Sequence, residues 1–93
     1  MENKIIYHHK VVHDDIPRLE LASRLRIQQS IKHKLSDVER AFDLPLHGKL
    51  KGLYKLKVGE YRVVYTRTKG QVFVILIAHR REVYEIVKRR IGL

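Results

Sequence analysis

LYKLKVGEYRVVY, residues 53–65, decides the fold, because apolar and polar side chains alternate on both sides of Gly59-Glu60. Strict alternation is typical of a strand with one buried face. A two-residue loop that begins with glycine suits a tight type II′ turn. The stretch therefore predicts a β-hairpin with strands at about 53–58 and 61–67.

The turn also fixes which residues of the two predicted strands face each other. Val58 is expected opposite Tyr61, which puts Lys57 directly opposite Arg62 and Lys55 on the same face. Like charges opposed across a strand pair are destabilising. The hairpin therefore predicts a cationic sheet face that water or an anion must screen.

Composition describes a small and unevenly charged protein. The 93 residues are 44% apolar and lack cysteine, so we expect one domain, residues 1–93, with a modest core and no disulfide. No apolar run is long enough for a signal peptide or a membrane span, so we expect a cytoplasmic protein. The net charge is +10, and residues 46–93 hold twelve basic and three acidic side chains. This localised field favours a polyanionic partner: nucleic acid, an acidic protein or a membrane surface.

Two helices are predicted before the hairpin. Asp14-Asp15-Ile16-Pro17 is typical of a helix start, with Asp as the cap and Pro in the first turn. Further on, apolar residues recur at helical spacing and predict one buried stripe. The stripe contains Ile27, Ile31, Leu35 and Val38, and is widened by Leu21 and Leu25.

Together these signals predict an α+β fold. The run QVFVILIA, residues 71–78, is apolar throughout, as expected of a central strand. We expect two helices on one face of a four-stranded, mainly antiparallel sheet, with the cations on the open face and a short C-terminal helix. The predicted elements are a strand at 4–9, helices at 14–21 and 22–40, a loop at 43–48, the hairpin, a strand at 71–78 and a helix at 82–90.

Cations fixed on a sheet face make a good phosphate site, and RNA is the polyanion with built-in reactivity. Its 2′-hydroxyl can attack the adjacent phosphate without a metal or other cofactor. The reaction needs a group that accepts a proton, cations that stabilise the phosphorus oxygens, and a group that protonates the leaving oxygen. Crowding by like charge disfavours the protonated form of a lysine. The repulsion at the hairpin therefore favours a lysine that is ready to exchange a proton.

The stretches LKGLYKLKVGEYRVVY and VFVILIAHRREVYEIVKRR resemble the RelE/ParE superfamily of type II toxin–antitoxin toxins, and within it the RelE-like mRNA interferases. The resemblance implies the RelE-like microbial RNase fold and ribosome-dependent cleavage of mRNA in the ribosomal A site. It implies a small acidic antitoxin as partner, and operator DNA as a target of the toxin–antitoxin complex. It also implies catalytic roles for a set of five residues. They are Lys55, Lys57, Arg62, Arg80 and Tyr84.

The same face and its neighbourhood supply further residues expected to bind RNA. These are Lys49, Lys51, His79, Arg81 and Lys88. The general base is left open between Lys55, Lys57 and His79, since His79 is a neutral proton acceptor near pH 7. The three cations of the hairpin also suit a solvated strand face with no ligand.

Other functions fit the same fold. One is a ParE-like toxin that inhibits DNA gyrase without chemistry of its own, and another is a non-catalytic RNA-binding relative. We interpret Asp14 and Asp15 as helix caps, and Arg89 and Arg90 as a basic tail or antitoxin contact. His8 and His9 are expected to point to opposite faces of a strand, and no metal site is predicted.

Overall fold

The computed structural model describes residues 3–36 and 44–93. Within these ranges one mixed sheet has five strands in the order β1-β5-β4-β3-β2. The strands and α-helices are β1 Lys4–Tyr7, α1 Leu21–Ser30, β2 Leu44–Pro45, β3 Tyr54–Val58, β4 Tyr61–Thr68, β5 Gln71–His79 and α2 Val83–Ile91. Shorter helical turns lie at Val11–Asp15, Ile16–Arg18, Ile31–Leu35 and Gly48–Leu50.

The predicted hairpin and its register are confirmed. β3 and β4 pair antiparallel, with Val58 opposite Tyr61 and Lys57 opposite Arg62. Gly59 has a φ of 59°, the left-handed value that the first loop residue of a type II′ turn requires. The pattern of residues 53–65 therefore fixes the centre of the sheet.

The α+β class is also confirmed, but the sheet has five strands where we predicted four. Leu44 and Pro45 form a short strand against β3 inside the segment predicted as a loop. β1 runs parallel to β5, so the sheet is mixed. The predicted end of the long helix, at Arg40, lies outside the described residues.

One face of the sheet packs against α1 and the helical turn that continues it. Ile27, Ile31 and Leu35 are at most 3% exposed and meet the apolar face of the hairpin. Leu21 and Leu25, by contrast, are 65% and 53% exposed, so their assignment to the buried stripe was wrong. They project from the other side of α1, because only one side of a helix can meet the sheet.

The other face of the sheet is not open as predicted. Leu46, Leu50, Val64, Val83 and Val87 form a second buried cluster under α2 and the segment before β3. β5 is apolar throughout because it contributes side chains to both clusters. The hairpin cations therefore lie on a face that is partly covered, beside α2.

Both α-helices are short. They have ten and nine residues, whereas a helix needs about 20 to cross the bilayer core. In the parts of the chain that the structure describes, no helix is long and apolar enough to span a membrane.

A buried ion pair joins the two ends of the chain. The Arg90 guanidinium donates to both carboxylate oxygens of Asp15, at 2.6 and 3.0 Å, and the two side chains are 8% and 5% exposed. Asp15 also accepts from the Ile77 amide at 2.9 Å, and Arg90 donates to the Ile75 carbonyl at 3.0 Å. Asp15 is therefore not a helix cap, and Arg90 is not part of a basic tail.

The first helix also begins earlier than predicted. Helical turns start at Val11, and neither Asp14 nor Asp15 caps them with its side chain. β1 ends at Tyr7, so His8 and His9 leave the strand and their rings stack at 4.4 Å, contrary to our prediction. Burial, together with the neighbouring His9, lowers the pKa of His8 below its ordinary 6.5, so His8 favours its neutral form.

We predict that Asp15→Ala lowers the free energy of unfolding by roughly 3–5 kcal/mol, because it leaves a buried guanidinium unpaired. Urea unfolding followed by circular dichroism measures this. Asp14→Ala, at the adjacent exposed position, is the matched control and should change stability by less than about 0.5 kcal/mol. Equal effects of the two substitutions would contradict the assignment.

Candidate functional site

All five residues expected to be catalytic line one cleft of about 350 Å³. Lys55 and Lys57 come from β3, Arg62 from β4, Arg80 from the turn directly after β5 and Tyr84 from the first turn of α2. Arg81 and Val83 complete the lining. The two rigid strands of the hairpin thus place three cations beside a helix that brings an aromatic hydroxyl.

Lys55 and Tyr84 are in direct contact across the cleft. The Lys55 Nζ donates to the Tyr84 hydroxyl oxygen at 2.6 Å and lies 5.3 Å from the ring centroid. Tyr84 reaches this position because the chain turns at once after β5, with the Glu82 amide donating to the His79 carbonyl at 2.9 Å. An ammonium at this distance stabilises negative charge on the phenol oxygen.

The repulsion between Lys57 and Arg62 is reduced by the way Arg62 is held. Its guanidinium donates to the carbonyls of Gly59 and Tyr61, at 3.0 and 2.8 Å. The Lys57 ammonium is exposed and makes no hydrogen bond or ion pair with any residue that the structure describes. The turn carbonyls therefore orient one cation, while the opposing one stays open to a ligand.

Arg80 is held at the rim of the cleft by Glu60. Its Nε donates to the Glu60 carboxylate at 2.7 Å, and its amide donates to the Glu60 carbonyl at 2.8 Å. The side chains are 51% and 63% exposed, so water screens the ion pair and its contribution to stability is small. The pair uses the Nε edge of the guanidinium, which leaves the two Nη groups for an anion.

His79 does not join the cleft. It lies beside Tyr61, with the rings edge to face at 5.7 Å, on the sheet face that packs against α1. Its Nδ1 accepts from the Arg81 amide at 3.2 Å, which leaves the proton of the neutral ring on Nε2, 3.9 Å from the Glu60 carboxylate. Because its ring lies on the opposite face, where Nδ1 accepts a hydrogen bond, His79 is not positioned to act as a base at the cleft.

The position of His79 follows from a bulge in β5. Val64 pairs with Leu76 but Tyr65 pairs with Val74, so Ile75 is an extra residue in the strand. One extra residue shifts the alternation of the strand, so each later side chain points to the face opposite to the one it would otherwise occupy. Ala78 therefore lies beside Arg62 on the face of the cleft, and His79 points away.

A larger groove of about 700 Å³ adjoins the cleft and shares Lys55, Lys57 and Tyr84 with it. Of the residues predicted to bind RNA, Lys49 and Lys88 line this groove and Arg81 lines the cleft, whereas exposed Lys51 lines neither. His47 also lines the groove. The sequence gives no signal for this role of His47, because nothing in it shows that the chain folds back at this point.

Among residues 3–36 and 44–93 no group of three metal-ligating side chains is close enough together to hold a metal ion. In the same ranges, the cations that line the cleft come from two strands, β3 and β4, and from the turn after β5. The arrangement is suited to binding a phosphate and to moving a proton between side chains.

The fold is that of the RelE-like toxins. The toxin of the RelBE2 toxin–antitoxin complex of Mycobacterium tuberculosis has a TM-score of 0.78 at 18% identity, over 86% of this chain and 93% of that chain. A free double arginine-to-alanine mutant of Escherichia coli RelE has a TM-score of 0.73 at 22% identity, over 99% and 97%. Escherichia coli YafQ has a TM-score of 0.57 at 12% identity, over 89% and 99%. At these identities the likeness shows the fold alone.

Residues 11–84 match the family model described as the ParE toxin of the parDE type II toxin–antitoxin system. The chain therefore belongs to the ParE toxin family, and the predicted RelE/ParE superfamily is confirmed. The protein is a toxin of a toxin–antitoxin system. Comparison with curated proteins gives no significant sequence match.

We predict that Lys57→Thr stabilises the protein by up to about 1 kcal/mol at low salt, because it removes one of two opposed cations. The gain should shrink between about 0.01 M and 1 M salt, as screening weakens the repulsion in the wild type. Urea unfolding at both salt concentrations measures it. Lys4→Thr is the matched control, since Lys4 is an exposed strand lysine opposite neutral Gln71. A gain that does not depend on salt would mean that strand propensity, not repulsion, is responsible.

Proposed function

We propose that residues 1–93 form one RelE-like toxin domain that cleaves translated mRNA as a ribosome-dependent, metal-independent endoribonuclease. The observation that carries the proposal is the convergence of Lys55, Lys57, Arg62, Arg80 and Tyr84 on one cleft. A binding module needs cations alone, whereas this cleft adds a hydroxyl group in contact with an ammonium.

In the proposed reaction the 2′ oxygen forms a bond to phosphorus and the bond to the 5′ oxygen breaks. The products are a 2′,3′-cyclic phosphate and a free 5′-hydroxyl. Arg62 and Arg80 stabilise the charge on the phosphorus oxygens, because guanidinium groups bind phosphate with paired hydrogen bonds.

The proton transfers are assigned to the remaining three groups. Tyr84 gives its proton to the 5′ oxygen, and the Lys55 ammonium 2.6 Å away stabilises the phenolate that results. Lys57, which has no partner among the described residues, is assigned to receive the proton of the 2′-hydroxyl. The position of His79 on the opposite face argues against it as the base.

We predict that Arg62→Ala lowers cleavage of a translated mRNA by roughly 10²- to 10³-fold, as expected when one group that stabilises transition-state charge is removed. Primer extension after induction, on equal amounts of soluble protein, measures the cut sites. Arg89→Ala removes the same charge from an exposed position outside the cleft and should cleave like the wild type. No codon-phased cuts from the wild type would contradict the nuclease assignment.

Inhibition of DNA gyrase is the second candidate, and the match to the ParE family model favours it. Such a toxin works by binding, so Arg62→Ala would leave its effect largely intact. Gyrase-dependent DNA breaks, without mRNA cuts, would establish this alternative. The absence of both effects, with RNA binding retained, would identify a non-catalytic relative.

The proposed partners follow from the same assignment. They are mRNA in the ribosomal A site, a small acidic antitoxin, and operator DNA for the toxin–antitoxin complex. Residues 46–93 carry nine of the ten net positive charges, so we expect the antitoxin to cover this half of the chain.

We predict that antitoxin binding weakens steeply as salt rises from about 0.01 M to about 1 M, mainly through slower association. Lys51→Glu should weaken binding more than Lys10→Glu, because both lysines are exposed but only Lys51 lies in the basic half. Stopped-flow association kinetics with the cognate antitoxin test this. Rates that do not depend on salt would show that apolar contacts dominate.

A further inference from the structure

The part of the 700 Å³ groove that lies beyond Lys55, Lys57 and Tyr84 has no role in the proposed cleavage step. It is separated from the 350 Å³ cleft only by the side chains that line both spaces, Lys55, Lys57 and Tyr84. Its volume lies within the range of about 300–1,000 Å³ that is typical of small-molecule sites. A strand of nucleic acid that crosses these three side chains passes directly from the cleft into the groove.

The groove combines an apolar floor with cationic walls. Leu44, Pro45, Leu46 and Leu50 supply the floor. Leu44 is 39% exposed, so it can be contacted from the groove, whereas Leu46 and Leu50 are buried and support the surface from below.

The walls carry only positive charge. Lys49 and Lys88 stand beside Lys55 and Lys57, and no carboxylate from the described residues lines the groove. An inorganic anion would contact only the lysines and would leave the apolar floor unused. A nucleotide uses both features, because its base has a flat apolar face and its backbone carries the charge.

We propose that this groove binds one nucleotide that flanks the cleaved phosphate, with its base on the Leu44 side of the floor and its phosphate on Lys49 and Lys88. The inference rests on the proposed nuclease function for its biological meaning. The binding itself requires only single-stranded nucleic acid.

Binding of short DNA tests the proposal without requiring cleavage. A deoxytetranucleotide lacks the 2′-hydroxyl that the proposed reaction uses, so binding and chemistry are separated. Its affinity is measured by fluorescence anisotropy over a range of salt concentrations. The same series is repeated with an abasic tetramer, which keeps the phosphates and lacks the bases.

Two groove variants have matched controls elsewhere on the chain. Lys88→Met should weaken binding several-fold and reduce the salt slope by about 0.7, as expected for one lost phosphate contact on a single strand. Lys69→Met removes the same charge at the exposed turn between β4 and β5 and should leave both values unchanged. Its distance from the groove makes it a control for net charge.

Leu44→Ser should weaken binding of the normal tetramer by roughly threefold to tenfold, and it should not affect the abasic tetramer. Leu21→Ser is the control, since Leu21 is an exposed leucine on α1. Thermal unfolding of each variant shows that it is folded. If Leu44→Ser is unfolded, the Lys88→Met comparison still tests the site.

The proposal is overturned if both groove variants bind like their controls, or if Leu44→Ser weakens the two tetramers equally. It is also overturned if an acidic antitoxin peptide binds the groove and the tetramer does not. Codon-phased mRNA cuts with unaltered tetramer binding would reject the groove and keep the nuclease. Tetramer binding that depends on Leu44 and Lys88, without any mRNA cleavage, would keep the groove and reject the nuclease.

Discussion

Arg90 and Asp15 meet at the edge of β5 that β1 leaves uncovered. β1 pairs with Gln71–Val74, and from Ile75 onward no strand of residues 3–36 or 44–93 neighbours the backbone on that side. Asp15 accepts from the Ile77 amide and Arg90 donates to the Ile75 carbonyl, so the ion pair takes the place of the missing strand. It fixes the N-terminal helical turns and α2 to the same edge. Because α2 carries Tyr84, the geometry of the cleft depends on a contact at the other end of that helix.

The fold tolerates the clustered cations of the cleft because water screens the exposed ones and groups of the hairpin bond to others. Arg62 donates to two carbonyls of its own turn, and Arg80 pairs with Glu60 of the same turn. Lys55 donates a hydrogen bond to the neutral Tyr84 hydroxyl. Lys57 has no such contact with any described residue, so it experiences most of the repulsion from the neighbouring cations. Functional sites commonly retain destabilising arrangements of this kind, and the rest of the fold compensates for them.

Local patterns in the sequence predict the hairpin, its register and the burial of Ile27, Ile31 and Leu35, because each depends on residues close together in the chain. The ion pair could not be predicted in this way, since 75 positions separate Asp15 from Arg90 and each alone resembles a common surface role. The groove was missed for a similar reason. His47 and Lys88 meet only because the segment before β3 and α2 pack on the same sheet face.

The sequence predicts the strand at β5 strongly, but it does not show the bulge at Ile75. It therefore could not determine which residues at the end of the strand face the cleft. In a regular strand the side chain of His79 would share the face of Arg62, and the cleft would contain an imidazole. The apolar run at 71–78 hides the extra residue, because both faces of β5 are buried and either alternation satisfies the core. The bulge instead puts the small side chain of Ala78 beside Arg62, which leaves space for a phosphate. One backbone irregularity, and not the composition of the strand, therefore determines that His79 faces away from the cleft.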